Sequence, residues 1–228
     1  MKKHLIFPLL IAVVTGIAPL KAGQGYSTKI NGGEDPTKAE ALTKRAGGII
    51  ILNSENKDSL NFAIALCTQA MELDENNVTA HFNRGYAALI LENYAEALKD
   101  FDVAVEKEGD GYDYEFRGKT KFKMGDMDGA LVDFKSAAEK GIANTTGGAH
   151  IAMDDANDLG IAFYNAEKYD KAVEAFNVSV DAQPNENNIF NRANAEYLTG
   201  DKTAALQDWK KSGKLGNKDG KKSYKKFR

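Results

Sequence analysis

The chain has 228 residues, a formal net charge of −3 at pH 7 and one cysteine. A single cysteine excludes an internal disulfide, and the 206 residues from position 23 onward are enough for one elongated domain. Residues 23–209 carry 18 basic and 32 acidic side chains, a balance of −14, whereas residues 210–228 carry nine basic and one acidic. An acidic body repels phosphate, so nucleic acid is not expected as a partner.

The first 22 residues have the pattern of a secretory signal. Lys2 and Lys3 precede an apolar run that begins at Leu5 and ends in small residues, with no acidic residue in the segment. We expect cleavage after Ala22; an uncleaved anchor is the alternative, although the run is short for a membrane span and contains two prolines. Residues 23–35 are predicted to be a flexible leader. The segment predicts an exported protein of a bacterial envelope, periplasmic or secreted.

Beyond the leader, small and bulky residues recur with a period of 33 or 34 positions. Gly85, Gly118, Gly160 and Ala193 are each followed twelve positions later by an alanine and sixteen positions later by an aromatic residue. The alanines are Ala97, Ala130, Ala172 and Ala205, and the aromatic residues are Phe101, Phe134, Phe176 and Trp209. The interval from Gly118 to Gly160 is 42, which is one period with eight residues inserted. Such a period is typical of a helical repeat.

Each repeat contains two amphipathic segments separated by a turn signal, at residues 91–94, 124–127, 166–169 and 199–202. A glycine or a polar pair between two apolar stripes of 3.6 spacing predicts a helix, a tight turn and a second helix. The pattern Tyr169, Ala172, Phe176 and Ser179, followed by Gln183-Pro184-Asn185, resembles the second half of a tetratricopeptide repeat. The same pattern is matched by Tyr94, Ala97, Phe101 and Ala104, and by Ala130, Phe134 and Ala137.

The resemblance implies an all-α protein, an α-solenoid of about five helix-turn-helix repeats with a C-terminal capping helix. The predicted units are about 36–77, 78–110, 111–144, 153–185 and 186–219, followed by a basic capping helix over 218–228. The first unit is degenerate, as expected of a terminal repeat. In that unit Cys67 takes the place of the inward aromatic residue, which predicts a buried and inert thiol.

Small residues and arginines recur at fixed places in these units. Two antiparallel helices approach closely only where side chains are small, so the glycine and alanine series are predicted to mark helix contacts. Arg84, Arg117 and Arg192 come directly before the small residue of the first helix. They could form an anion-binding ladder, but their regular place favours structural arginines whose stems pack between helices and whose guanidinium groups bond locally.

By the resemblance, the first helices line a concave face that binds a protein or an extended peptide. The side chains implied to point into it are Phe82, Asn83, Tyr86, Leu89, Glu115, Phe116, Lys119, Phe122, Asn157, Asp158, Ile161, Tyr164, Phe190, Asn191, Asn194 and Tyr197. Aromatic walls and amide side chains suit an extended backbone, although some of the aromatic residues can instead pack between neighbouring units. The Lys, Asn and Arg clamp with which some family members hold a terminal carboxylate is absent from the corresponding positions.

No pattern for catalysis or for holding a cofactor stands out. His81 and His150 lie outside any histidine or cysteine cluster, so no metal site is expected. Asp154, Asp155 and Asp158 are expected to stabilise the start of the helix that follows the insertion. We therefore expect no cofactor and a non-catalytic scaffold that binds a protein or peptide. An enzyme site near the insertion at 144–152 is the weaker alternative.

The basic tail allows two interpretations. In the favoured one, Tyr224 and Phe227 cover the last repeat and the lysines are solvated. In the alternative, the protein is an envelope-associated adaptor whose tail contacts an anionic membrane surface.

Overall fold

The computed structural model describes residues 35–143 and 149–228, with side chains described over 35–140 and 154–228. The predicted signal at 1–22, the leader up to residue 34 and residues 144–148 of the insertion lie outside the described residues. All regular secondary structure in the described ranges is α-helical. The helices are α1 (Pro36–Leu52), α2 (Lys57–Leu73), α3 (Val78–Ile90), α4 (Tyr94–Lys107), α5 (Gly111–Lys123), α6 (Met127–Ala143), α7 (Ala149–Asn165), α8 (Tyr169–Ala182), α9 (Glu186–Thr199), α10 (Lys202–Leu215) and α11 (Lys218–Phe227).

The chain divides into two compact units, one that ends at Asp100 and one that begins at Phe101. In the N-terminal unit, α1 packs on α2 and α2 packs on α3. In the C-terminal unit, α5–α6, α7–α8 and α9–α10 are successive hairpins, and α11 packs on α10. The predicted fold class, an all-α solenoid of about five helical hairpins with a C-terminal capping helix, is confirmed. None of the described helices is both long enough and apolar enough to cross a membrane.

Asparagine and aspartate side chains begin most of the helices. Asp110 and Asn185 each form a capping box, with Asp113 and Asn188 as the returning partners. A cap of this kind stabilises a helix by about 1 kcal/mol because it satisfies backbone N–H groups that have no partner within the helix. Simpler side-chain caps are made by Asp35, Asn56, Asn77, Asp201 and Asn217.

One residue in each of four hairpin turns has a left-handed backbone. The φ angles are 62° at Glu92, 87° at Gly125, 58° at Glu167 and 100° at Gly200. These positions follow the spacing of the repeat, so the turn has one conformation throughout. Glycine adopts this conformation freely, whereas each glutamate is disfavoured by roughly 1 kcal/mol because its Cβ crowds the backbone.

The predicted contact positions lie in the core. Ala97, Ala130, Ala172 and Ala205 are fully buried, and so are Phe101, Phe134 and Phe176 at the aromatic place. A Cβ added at Gly118 would lie 2.9 Å from a ring carbon of Phe134, and one added at Gly160 would lie 2.5 Å from a ring carbon of Phe176. The glycine of the first helix therefore makes room for the aromatic ring of the second, as the period predicts.

The core of the N-terminal unit contains the single cysteine. Cys67 is fully buried beside Ala63, Leu66 and Ala70 of α2. Burial raises the pKa of its thiol to about 12. The prediction of a buried thiol is confirmed, and the raised pKa supports the expectation that the thiol is inert, because the thiolate is the reactive form.

The structure corrects one prediction about the fourth hairpin. Helix α7 begins at Ala149, four residues before the predicted boundary of that unit. Asp154 and Asp155 therefore lie beyond its first turn, where a carboxylate no longer stabilises the start of a helix. Asp155 instead lies with one carboxylate oxygen 3.2 Å from Nζ of Lys119 on α5.

The last helix covers the last hairpin, as the favoured interpretation of the tail predicts. The ring of Phe227 lies 4.9 Å from that of Tyr197 and 5.4 Å from that of Trp209, measured between centroids. Gly220 approaches Ser212 and Trp209 so closely that a Cβ would lie 2.8 Å from the Ser212 hydroxyl. Helix α11 thus closes the exposed end of the C-terminal unit.

Candidate functional site

Three first helices of the C-terminal unit lie next to one another and share polar contacts. Lys119 of α5 pairs with Asp155 of α7, and the Nδ2 group of Asn191 on α9 donates a hydrogen bond to Oδ1 of Asn157 on α7 at 3.0 Å. We call this surface the first-helix face. It carries Lys119, Asn157, Asp158, Ile161, Tyr164, Asn191, Asn194 and Tyr197.

The bridging amides leave one donor and one acceptor unused. Asn157 accepts from Asn191, so its own Nδ2 group and the Oδ1 atom of Asn191 have no protein partner in the described part of the chain. Both side chains are half-buried. A peptide backbone offers a carbonyl and an N–H group in alternation, and this amide pair can bond one of each.

The neighbouring side chains add apolar and charged surface. Ile161 is 39% exposed, and Asp158 is exposed one turn away on the same helix. Tyr164 is partly buried, with its ring edge-on to Tyr169 at 5.4 Å. Helix α7 therefore offers an apolar contact flanked by an amide and a carboxylate.

On α9 the predicted residues are tied to the end of the unit. Oδ1 of Asn194 accepts a hydrogen bond from the indole of Trp209 at 2.9 Å, which leaves its Nδ2 group as a donor. Tyr197 packs against Trp209 and Phe227, and Phe190 packs against the same core. Of the α9 residues predicted to bind, Asn191 and Asn194 retain unused polar groups, whereas the two aromatic residues mainly pack.

In the N-terminal unit the predicted residues are mostly structural. Phe82 is 1% exposed and Asn83 is 5% exposed. The amide of Asn83 donates to the backbone carbonyl of Thr43 on α1, so it links α3 to the first hairpin. Tyr86 packs against the same core. The prediction that Phe82 and Asn83 line a binding surface is wrong, because both side chains are buried and the Asn83 amide is bonded to α1.

Two aromatic residues of α5 also pack. Phe116 stacks on Phe101 with ring centroids 6.0 Å apart, and Phe122 lies against the core that contains Phe134 and Phe163. Phe116 and Phe122 therefore pack within the C-terminal unit, as expected if some of the predicted aromatic residues pack between neighbouring repeats instead of binding a peptide.

A buried carboxyl group lies beneath the first-helix face. Glu115 is 1% exposed, and its Oε1 atom has no hydrogen-bond partner. Burial, together with the charge of Asp155, raises the pKa of Glu115 to about 8. At neutral pH this carboxyl group is therefore mostly protonated and uncharged. The ammonium group of Lys119 then forms its ion pair with Asp155.

The comparisons with known proteins agree with this geometry. Residues 63–113 match the sequence model of the tetratricopeptide repeat family. The chain also superposes on the protein MamA from Desulfovibrio magneticus RS-1 with a TM-score of 0.56 and 18% identity, over 78% of this chain and 94% of that one. The chain has a tetratricopeptide repeat fold.

Other proteins match this chain in structure or in sequence. YrrB, described as a tetratricopeptide repeat protein with an unusual peptide-binding site, superposes with a TM-score of 0.50 and 22% identity, over 78% of this chain and 93% of that one. Hsc70-interacting protein 1 of Drosophila melanogaster is 38% identical over 78 residues, 34% of this chain and 21% of that protein. Serine/threonine-protein phosphatase T of Aspergillus oryzae is 33% identical over 86 residues, 37% of this chain and 17% of that enzyme. The chain thus matches about a fifth of the length of these curated relatives.

The recurrent arginines of the tetratricopeptide hairpins each bind the aspartate sixteen residues later. Arg84 Nε and Nη2 lie 2.8 Å from the two oxygens of Asp100, and Arg117 contacts Asp133 through the same two nitrogens at 3.0 and 2.7 Å. Arg192 Nε lies 2.7 Å from Asp208. Each aspartate lies directly before the aromatic residue of the second helix, so the pair joins the two helices of one hairpin.

The same arginines also reach back to the preceding hairpin. Their Nη1 groups donate to Thr68, Asp102 and Asn177, which follow the inward residue of the previous unit. The prediction of structural arginines is confirmed, because each of the three guanidinium groups already pairs with an aspartate of its own hairpin. In the fourth hairpin Leu159 and Ala175 take the two places, and both are fully buried.

The aspartate partners of these arginines were not predicted from the sequence. The signal was present, because Asp100, Asp133 and Asp208 occur in the same three repeats as the arginines and disappear from the repeat that lacks one. No group of three metal-ligating side chains comes together in the described ranges. The alternative enzyme site at 144–152 falls largely on residues outside them.

Proposed function

We propose that this chain is a non-catalytic scaffold that binds an extended segment of a partner protein along the first-helix face of its C-terminal unit. The observation that carries the proposal is the Asn157–Asn191 pair. It joins two neighbouring helices and presents one unused donor and one unused acceptor to the surface. Peptide-binding proteins hold an extended backbone through such groups, with apolar side chains beside them for specificity.

The face supports a peptide better than a small molecule or an anion. Its polar groups are spread over three helices, from Lys119 on α5 to Asn194 on α9, rather than gathered in one cavity. Its one cation, Lys119, already faces Asp155. Binding of an anionic group there would have to break an existing ion pair, whereas a peptide backbone needs only the amides.

The experiment selects 12-residue peptides from a random library on the full-length chain and measures their affinity for two variants. Asn157→Ala/Ile161→Ala removes an amide and an aliphatic side chain from α7. The matched control, Val132→Ala/Gln207→Ala, removes the same two kinds of side chain from exposed positions on the second helices α6 and α10.

We expect the α7 variant to bind the selected peptides at least about tenfold more weakly, since each lost contact removes on the order of 1 kcal/mol. The control variant should bind as the parent does. Equal loss in the two variants, or loss in the control alone, would place the binding surface elsewhere and refute the proposal. Far-ultraviolet circular dichroism of both variants verifies that the helices are intact.

We also propose that the protein is exported to the bacterial envelope. This proposal rests on the pattern of residues 1–22 alone, in which Lys2 and Lys3 are followed by an apolar run and by small residues before Gly23. Intact mass measurement of the protein from bacterial fractions tests it. A periplasmic species that begins at Gly23 is expected, and an intact chain confined to the cytoplasm would overturn the proposal.

A further inference from the structure

The C-terminal end of the chain concentrates positive charge on one exposed surface. From residue 210 to the C-terminus there are nine basic side chains and one acidic side chain, Asp219. All nine are exposed, and none forms an ion pair with a carboxylate in the described part of the chain. We call this surface the basic cap. It consists of Lys210, Lys211, Lys214, Lys218, Lys221, Lys222, Lys225, Lys226 and Arg228.

The other side of the same helix is already occupied. Tyr224 and Phe227 of α11 pack against the end of the C-terminal unit, with Phe227 next to Trp209 and Tyr197. Lys226 lies 4.7 Å from the centre of the Phe227 ring, and Lys210 lies 5.7 Å from that of Tyr224. These contacts involve the aromatic rings but leave every positive charge uncompensated. Packing therefore explains the aromatic residues of α11 and does not explain its lysines.

A cluster of positive charges favours an anionic partner, because the charges repel one another and an anion reduces that repulsion. The remainder of the C-terminal unit, residues 101–209, carries 11 basic and 21 acidic residues, a balance of −10. A linear polyanion longer than the cap would run onto this acidic surface. A flat anionic surface can instead meet the exposed lysines of α11 at the C-terminal end of the unit, and salt screens its repulsion from acidic residues beyond a Debye length of about 10 Å.

We propose that the basic cap docks the protein on an anionic lipid surface. The contact is mainly electrostatic, since Tyr224 is partly buried and Phe227, although 38% exposed, packs its ring on those of Trp209 and Tyr197. It leaves the first-helix face free and is independent of peptide binding. A cation near an anionic leaflet raises the partition coefficient by about fivefold, so the nine together account for stable docking at low salt.

The test compares the binding of the full-length chain to vesicles of phosphatidylcholine alone and of phosphatidylcholine with about a third phosphatidylglycerol. The ratio of the two partition coefficients isolates the effect of charge from any binding through the N-terminal apolar segment. The variant Lys221→Gln/Lys222→Gln/Lys225→Gln/Lys226→Gln removes four charges from the cap. The matched control changes four exposed lysines elsewhere to glutamine, at Lys38, Lys57, Lys168 and Lys202.

The parent should favour the anionic vesicles strongly at 0.1 M salt and lose that preference at 0.5 M. The cap variant should lower the ratio by on the order of a hundredfold or more, and the control by less than tenfold. Trp209 emission and circular dichroism should be unchanged in both, because the substituted lysines are exposed. A cap variant that binds as the control does would overturn the proposal. So would a parent that ignores anionic vesicles but binds duplex DNA or a second copy of itself through the same lysines.

Discussion

The ion pair between Arg117 and Asp133 can be tested with a double mutant, because another hairpin of the same chain has two apolar residues at the equivalent places. Asp133 is 1% exposed at its side chain and receives two hydrogen bonds from Arg117, at 3.0 and 2.7 Å, and an ion pair from Lys121 at 2.7 Å. The substitution Arg117→Leu removes the bidentate partner of Asp133 and leaves its buried carboxylate paired with Lys121 alone. Breaking a buried pair in this way costs about 3 kcal/mol. Asp133→Ala should cost about 1.5 kcal/mol, since both cations can turn to solvent.

The double variant Arg117→Leu/Asp133→Ala copies the Leu159 and Ala175 combination of the fourth hairpin, where both side chains are fully buried. It should cost about 2 kcal/mol, less than the sum of the single changes, because it leaves no unpaired charge in the core. Urea denaturation followed by circular dichroism gives the free energy of unfolding of all four proteins. A coupling energy below about 0.5 kcal/mol would show that the two residues do not act as a unit and would refute this explanation of the recurrent arginines.

Four further substitutions test the buried carboxyl group, the hairpin turns and the close approach of two helices. The pKa of Glu115 is about 8 in the folded chain against an ordinary 4.5, so the unfolded chain ionises first and stability falls between about pH 4.5 and pH 8. Glu115→Gln should therefore raise the free energy of unfolding by roughly 3 kcal/mol at pH 7, and by almost nothing at pH 4. Glu92→Gly and Glu167→Gly should each stabilise the chain by about 1 kcal/mol, since glycine has no Cβ to crowd a left-handed backbone. Gly160→Ala should destabilise it by about 2 kcal/mol, because the new Cβ would overlap the buried ring of Phe176.

Urea denaturation at two pH values and thermal melts measure these effects. A gain from Glu115→Gln of the same size at pH 4 and pH 7 would mean that the carboxyl group does not titrate as described. Glu92→Ala is the control for the turn, because alanine keeps the Cβ; if it stabilises as much as glycine does, the backbone argument fails. If Gly160→Ala is as stable as the parent, α7 and α8 do not approach as closely at Gly160 and Phe176 as described.

The repeat could be predicted from the sequence because the contacts between the two helices of a hairpin are local in sequence and recur in four hairpins. The glycine that admits a ring and the alanine twelve residues later both act within one hairpin, so a fixed spacing is enough to find them. The close packing of α11 on the last hairpin was predictable for a similar reason. The last hairpin of a repeat array exposes an apolar face, and the aromatic residues that follow it in the sequence are suited to cover that face.

The side chains of the face could not be assigned with the same certainty, because their exposure depends on contacts between hairpins. Phe82 and Asn83 occupy places in the repeat equivalent to those of Asn157 and Asp158, yet the first two are buried, whereas Asn157 is half-buried and Asp158 is exposed. The start of α7 was misplaced because the insertion breaks the period just before it. Sequence spacing gives the register of a hairpin but does not show how closely its neighbour packs.

The most direct measurement of the central claim is the position of a bound peptide. A photoreactive phenylalanine analogue is placed at Asp158 on α7 or at Val132 on α6, both exposed, and each protein is illuminated with the same library-selected 12-residue peptide. We predict that the peptide crosslinks to position 158 and not to position 132, because the amide donor and acceptor that hold the backbone lie on the first-helix face. A crosslink at position 132 with none at position 158 would contradict the assignment of that face as the binding surface.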